Sequence, residues 1–386
     1  MNWIEGGAPR AAGIFFAAAL LSIGLSFHLR NVPILFFALG LLGTAAMLAF
    51  PASRNVAVVL TSVALSLCLA ELIAMLVSRV AFEEAVHDPS SGDRKDYFQH
   101  TDVGILATPG VHTSRELTTR GDVIYDVAYT IGEDGFRKTR TREDADLRVN
   151  FFGGSFTFGE GLDDDETLPF YVSELMPMIA VRNFGFHGSG AHNALAILQS
   201  DRDTRGQVNF FLTAPWHATR SACKPGWSAG SPRYSLVGDT VVRNGFCESL
   251  RPSTLGDVLD KVLSRSNLYQ LTKRAGHVEA TDEDYELYLA LVREMHALSK
   301  ARNQKFIVGF IKAEDRYFKD SSYTNEKLFS ALSDASDAIV DVTLAPRYED
   351  LDRSLYIHPL NKHPSALANS RRAQLIVPVI ETELRQ

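Results

Sequence analysis

The sequence predicts an α/β protein: three membrane-spanning helices, a connecting segment with short strands, and a domain built on a parallel sheet with helices on both faces. Three observations predict it. Residues 1–80 of the 386 are nearly free of charge, whereas the remainder is polar and acidic. Beyond residue 146, short apolar runs alternate with helical patterns, as expected of strands buried on both faces and joined by crossover helices. A glycine-rich turn, Gly153 to Gly161, follows directly on the first of those runs.

The apolar runs of the first part are Ala11 to Phe27, Val32 to Phe50 and Val56 to Val80, separated by polar joints at His28 to Asn31 and Pro51 to Asn55. A helix crosses the hydrocarbon core with about 20 apolar residues, so residues 1–80 read as three spans. A cleaved leader accounts for the first run and leaves two more unexplained. Arg10 and Arg54 lie on one side and Arg30 and Arg79 on the other, so the count of basic residues does not orient the spans. Glu71 lies inside the third run. It has two readings, a carboxylate facing a membrane-protein partner or one that reaches the interface.

Residues 81–146 form the connecting segment, in which DVIYDVAYTI alternates like a half-buried strand before the turn GEDG. The domain proper, residues 147–386, carries strand patterns at Leu147 to Gly153, Ile179 to Phe186, Gln207 to Pro215, Lys305 to Ala313 and Ala338 to Ala345. Helical patterns lie at Glu166 to Met176, Ala191 to Asp203, Asp282 to Ala301, Asn325 to Ala335 and Ser365 to Leu384. Residues 216–281 break the alternation and read as an insertion with a helix at Leu255 to Lys273. Sites in such sheets collect beyond the C-terminal ends of the strands.

A net charge of −7 without a cluster of Lys and Arg leaves no electrostatic footprint for nucleic acid. Cys68 belongs to the third apolar run, while Cys223 and Cys247 share one Gly-, Pro- and Ser-rich stretch. These two are either a disulfide, which suits an exported, periplasmic domain, or two unrelated thiols.

Ser155 stands between the first sheet strand and a helix, where helical N–H groups lie near its hydroxyl. Thr157 rules out the G-x-S-x-G elbow, and no Gly-Lys-Ser/Thr follows to make a phosphate loop. By itself Ser155 is a nucleophile or a turn serine, and both readings stand. The acidic run Asp163 to Glu166 caps the next helix. A serine nucleophile needs a base. His363, in a loop between the last strand and the closing helix, returns to the same sheet edge, with His358 as its competitor. His187 and His192 flank a glycine turn at a spacing that matches no helical metal pair, so neither metal nor cofactor is implied.

Three stretches, FFGGSFTFGEG, NFGFHGSG and NKHPSALAN, together resemble the SGNH/GDSL hydrolase superfamily of serine esterases and acyltransferases, over most of Leu147 to Gln386. The resemblance implies a flavodoxin-like three-layer α/β/α domain, with Ser155 as nucleophile, the Ser155 and Gly188 backbone N–H groups as oxyanion donors, and His363 as general base. This chain departs from the family's usual pattern in three places. Gly154 replaces an Asp before the serine. His217, with Arg220 nearby, stands where an oxyanion Asn is usual. Asn361 stands ahead of His363 in place of the Asp that orients the imidazole. His217 is either an oxyanion donor or a packed histidine. The implied function is a membrane-anchored serine esterase or O-acyltransferase acting on acyl, chiefly acetyl, esters of a small molecule or an envelope glycan. Its partners are then the lipid bilayer and that ester. The rival is a catalytically weakened fold that binds a glycan or docks a membrane-protein partner.

Overall fold

The computed structural model describes residues 8–29, 32–49, 54–81, 83–88, 97–139, 142, 145–247, 263, 266–269 and 279–386. The chain divides into two compact units, one of Met1–Glu83 with Arg251–His277 and one of Glu84–Leu250 with Val278–Gln386.

The first unit contains α1 (Ala8–Leu29), α2 (Val32–Ala49) and α3 (Arg54–Ala81). Within α3, Asn55–Val77 is long and apolar enough to cross a membrane, with a mean hydropathy of 2.4. The apolar stretches of the other two, Ala11–Ser22 and Phe36–Ala46, are shorter among the described residues and fall below the roughly 20 residues a span needs. Length and composition therefore support one span where the sequence predicts three. Glu71 is buried within the unit and accepts hydrogen bonds from the Ser266 hydroxyl, from the Asn267 backbone N–H (2.8 Å) and from Asn267 Nδ2 (3.3 Å). Its carboxylate is satisfied by the chain's own later segment. The helix predicted at Leu255 to Lys273 falls, apart from residues 263 and 266–269, outside the described residues.

The second unit opens with five short strands: β1 (Ala85–His87), β2 (Phe98–Thr101), β3 (Gly104–Ala107), β4 (Gly110–Thr118) and β5 (Val123–Ile131). β1, β4 and β5 form an antiparallel sheet, and β2 pairs with β3. The connecting segment is thus largely part of the α/β unit. There follow β6 (Leu147–Gly153), α4 (Ser155–Phe158), α5 (Leu168–Leu175), β7 (Ile179–Gly185), α6 (Ala191–Gln199), β8 (Val208–Thr213) and α7 (His217–Ser221). After the hairpin β9 (Pro232–Val237) and β10 (Thr240–Phe246) come α8 (Asp282–Ala301), β11 (Lys305–Phe310), α9 (Asn325–Asp334) and β12 (Ala338–Asp341). β13 (Tyr356–His358), β14 (Asn361–Pro364) and α10 (Ala366–Leu384) end the chain.

The central sheet has the order β12-β11-β8-β6-β7, and every pairing is parallel. Its side chains alternate between faces, as the period of two requires. Val149, Phe151, Phe210 and Ile307 pack under α5 and α10, while Phe152, Phe211, Phe306 and Val308 pack under α6, α8 and α9. Each of the five phenylalanines is fully buried, worth about 1.5–3 kcal/mol apiece. Several elements are shorter than their apolar patterns. α5 starts at Leu168 because Thr167 caps it, accepting from Phe170 N at 3.3 Å, with a proline in its first turn. β12 stops at Asp341, whose carboxylate accepts from the Thr343 N–H (2.9 Å) and turns the chain through Leu344 at φ 72°. α6 stops at Gln199, before the Asp203 that its pattern suggests.

Register is what positions the site. Gly153 at the end of β6 is level with Gly185 at the end of β7, and Phe152 with Phe211 near the end of β8. Three adjacent strands therefore release their loops, which carry Ser155, Gly188 and His217, along one edge.

Candidate active site

Ser155 is the first residue of the four-residue α4, is buried, and follows the extended N-cap Gly154. The antiparallel pair β13–β14 brings His363 back over that edge. His363 Nε2 lies 2.8 Å from Ser155 Oγ, and His363 Nδ1 lies 2.6 Å from Asn361 Oδ1. Asn361 Oδ1 also accepts from the His363 backbone N–H (3.1 Å), and its Nδ2 donates to Glu116 of β4. The Phe156 ring meets the imidazole edge-on at 5.4 Å and restricts its rotation. His358 turns into its own hairpin, where its Nδ1 accepts from Leu360 N at 3.2 Å.

Gly188 sits in the tight turn after β7, at φ 69°, a conformation that favours glycine. A Cβ there would also stand 2.7 Å from the Trp227 ring. Gly188, Ser155 and His363 line one cavity of about 360 Å³ together with Glu160, Arg220 and Trp227.

His217 starts α7 and is buried against the same turn. Its Nδ1 lies 3.0 Å from Thr213 Oγ1, which lies 2.7 Å from the Tyr288 hydroxyl. Tyr288 is wholly buried with Thr213 as its hydrogen-bond partner, so it donates to Thr213 and Thr213 donates to His217 Nδ1. The ring proton then resides on Nε2. Burial, reinforced by Arg220 and His192, holds the His217 pKa well below the usual histidine value, so the ring is a neutral N–H donor. Nε2 lies 3.4 Å from the point that a Cβ on Gly154 would occupy, directly beside the serine turn.

The same point is 2.8 Å from Arg220 Nη1 and 2.9 Å from the Ser189 carbonyl oxygen. Gly154 therefore fits a turn in which the Ser189 backbone oxygen and the Arg220 guanidinium take the room that a side chain before Ser155 would need. Arg220 Nη1 donates to that Ser189 oxygen (3.0 Å), and the guanidinium lies over the Trp227 ring at 5.2 Å. Burial lowers its pKa to about 10, with Tyr317 and Glu160 opposing the shift.

Two acidic groups escape the sequence reading. Glu160 is buried, with Oε2 2.7 Å from His187 Nδ1 and 3.5 Å from His363 Nε2. His187 Nε2 in turn meets the Tyr97 hydroxyl at 3.1 Å. Its signal was the second glycine-rich step, Gly159-Glu160-Gly161, five residues past the serine. Glu116 left no signal, being one polar position on an alternating strand. His192 points away into the interior with neither ring nitrogen hydrogen-bonded, and burial followed by Arg220 lowers its pKa to about 3. Cys223 and Cys247 form a disulfide with Cα atoms 5.5 Å apart, closing the loop that carries Trp227.

No protein-family model and no curated protein matches this sequence. Among solved structures, the chain is similar to a member of the lipolytic protein G-D-S-L family from Veillonella parvula DSM 2008, at 9% identity and a TM-score of 0.36, over 61% of this chain and 98% of that one. It is also similar to a variant of an acetyl-xylooligosaccharide esterase from Geobacillus stearmophilus, at 14% identity and a TM-score of 0.34, over 62% and 94%. A third is TesA, at 12% identity and a TM-score of 0.36, over 61% and 99%. At such values these likenesses assign neither a chemistry nor a substrate to this chain.

Proposed function

We propose that the protein is a serine esterase or O-acyltransferase that works through an acyl-enzyme on Ser155. The observation that carries the reading is the unbroken line Ser155 Oγ, His363 Nε2, His363 Nδ1, Asn361 Oδ1, with successive contacts of 2.8 and 2.6 Å. An acceptor at Nδ1 keeps the proton there and leaves the Nε2 lone pair for the serine hydroxyl.

As Oγ bonds to the acyl carbon, its proton passes to His363 Nε2 and the carbonyl becomes an oxyanion. The Ser155 and Gly188 N–H groups and His217 Nε2–H receive that oxyanion, with the Arg220 charge behind them. Collapse expels the alcohol, which takes the proton from Nε2. Water or a sugar hydroxyl then gives its proton to Nε2 and attacks the acyl carbon; as the bond to Ser155 Oγ breaks, Oγ takes that proton back and an acid or a new ester leaves. Glu160, near Nε2, favours the imidazolium formed in both half-reactions, which offsets part of what the neutral Asn361 withholds. A cavity of about 360 Å³ has room for an acetyl group together with part of the alcohol it esterifies, and the exposed Trp227 face beside it suits a sugar ring. A periplasmic placement is supported by the Cys223–Cys247 disulfide and by the apolar α3, which is long enough to serve as an anchor, and an envelope glycan is the ester-bearing substrate we assign to it.

A fluorophosphonate probe and p-nitrophenyl acetate turnover test the chemistry together. Wild type should label and turn over, and Ser155→Ala should do neither; equal labelling of the two would remove Ser155 from the reaction.

A further inference from the structure

We propose, resting on the reading of Ser155 and His363 as nucleophile and base, that Glu116 is a positioning residue of the active site. Its carboxylate selects the orientation of the Asn361 amide, and through it the tautomer and basicity of His363.

A carboxylate offers acceptors only, so the end of Asn361 that faces Glu116 is the NH2 end. The opposite end, Oδ1, is thereby turned to His363, where it accepts from Nδ1–H at 2.6 Å and from the backbone N–H at 3.1 Å. The two orientations of an amide have the same shape, and only their hydrogen-bond partners distinguish them. With the amide reversed, its NH2 would face Nδ1 and stabilise the tautomer with the proton on Nε2. That tautomer has no lone pair for Ser155, and a histidine in the wrong tautomer is a poor base. An aspartate accepts through either oxygen and needs no such control. An asparagine does, and Glu116 supplies it at the Nδ2 end, together with the His363 backbone N–H that donates to Oδ1 (3.1 Å).

Charge acts in the same direction. The anion polarises the amide along its length, concentrating electron density on Oδ1 and strengthening the bond to Nδ1–H when the imidazolium forms. Glu116 thus exerts on the imidazole, through one intervening amide, a weaker form of the field that an aspartate exerts directly. Its partner places it well for this. Glu116 lies opposite Tyr125 of β5 and His87 of β1 in the antiparallel sheet, so the carboxylate is borne on a paired strand and not on a loop. This gives the β1-β4-β5 sheet, which precedes every motif of the catalytic domain, a part in the reaction.

The test is a set of substitutions in the full chain, read with p-nitrophenyl acetate and with 15N resonances of the His363 ring. Glu116→Gln keeps an acceptor oxygen and loses the charge, and kcat should fall by about tenfold with KM within about twofold. Glu116→Lys presents donors only. It should reverse the amide, move the His363 proton to Nε2 in the spectrum, and lower kcat towards the roughly 10⁴-fold loss of a wrong tautomer. Asn361→Asp alone sets two carboxylates against each other and should also lose activity, whereas Asn361→Asp combined with Glu116→Gln should recover the wild-type rate or exceed it. That recovery is the outcome a purely structural Glu116 would not produce. The proposal is overturned if Glu116→Gln and Glu116→Lys both keep wild-type kcat and the Nδ1–H tautomer while His363→Ala is inactive. If His363→Ala is itself as active as wild type, the base assignment has failed instead.

Discussion

His363 Nε2 stands 2.8 Å from Ser155 Oγ although 208 residues separate them in the chain. The pair is assembled from the C-terminal edge of β6 and a hairpin placed after the last sheet strand, and both ends are held. Asn361 fixes the far side of the imidazole and the edge-on Phe156 ring fixes its plane. A hydroxyl and a lone pair in such contact are ready for proton transfer without rearrangement.

His363→Ala should therefore lower kcat for p-nitrophenyl acetate by several orders of magnitude, on the order of 10⁴ or more, since members of a nucleophile–base unit fail together. Ser155→Ala and the double variant should lose no more than either alone. Steady-state kinetics on the three proteins, with circular dichroism to show that each is folded, checks this.

Removing a donor from the proposed oxyanion site is costly in a different way. His217→Ala should reduce kcat by about 10²–10³-fold, the loss of roughly 2.7–4 kcal/mol of transition-state stabilisation. Tyr288→Phe leaves the ring in place and only releases its tautomer, so its loss should be smaller and confined to kcat. A His217→Ala protein within threefold of wild type would mark the histidine as a packing residue.

His192 predicts a pH dependence of stability. Its pKa in the folded chain is lowered to about 3 from the usual 6.5. Between those values the unfolded chain binds more protons than the folded one, so this residue's contribution falls as pH drops from about 6.5 towards 3. The slope is at most about 1.4 kcal/mol per pH unit. Thermal melts of wild type should show Tm declining through that window, and His192→Leu should flatten the decline. At pH 7 the leucine variant should be at least as stable, because both ring nitrogens lack partners in the interior and an unmade buried hydrogen bond costs about 1–3 kcal/mol.

Gly154→Ala tests the packing of the nucleophile turn. The added methyl would stand 2.8 Å from Arg220 Nη1 and 2.9 Å from the Ser189 oxygen. The second neighbour is backbone, which cannot give way as a side chain tip can. Overpacking of this kind costs about 1–3 kcal/mol. Since the displaced atoms border the proposed oxyanion site, kcat should fall along with Tm. An alanine variant with wild-type values of both would show that the turn has more room than its geometry indicates.

Parts of this molecule were legible in the order of its residues and parts were not. The strand runs Leu147–Gly153 and Ile179–Gly185 and the helix Asp282–Ala301 could be read because burial on both faces leaves a continuous apolar run and burial on one face leaves a helical period. Their ends were read less well, since α5 and β12 are terminated by the Thr167 cap and the Asp341 turn, single polar contacts that leave no periodic trace. Ser155 and His363 could be paired because each sits beside a strand or helix boundary with a characteristic local pattern.

What sequence alone determined, then, is the local preference: where the chain is apolar enough to be buried, where it must turn, and which residue types with reactive groups lie at those turns. What only the tertiary structure decided is direction and partnership. The Asn361 amide faces Glu116, Glu160 is drawn between His187 and His363, and the Arg220 guanidinium fills the space above Gly154. These contacts join residues from strands and loops far apart in the chain, and hydrogen-bond donors and acceptors act over about 3 Å in space, a distance to which separation along the chain is no guide.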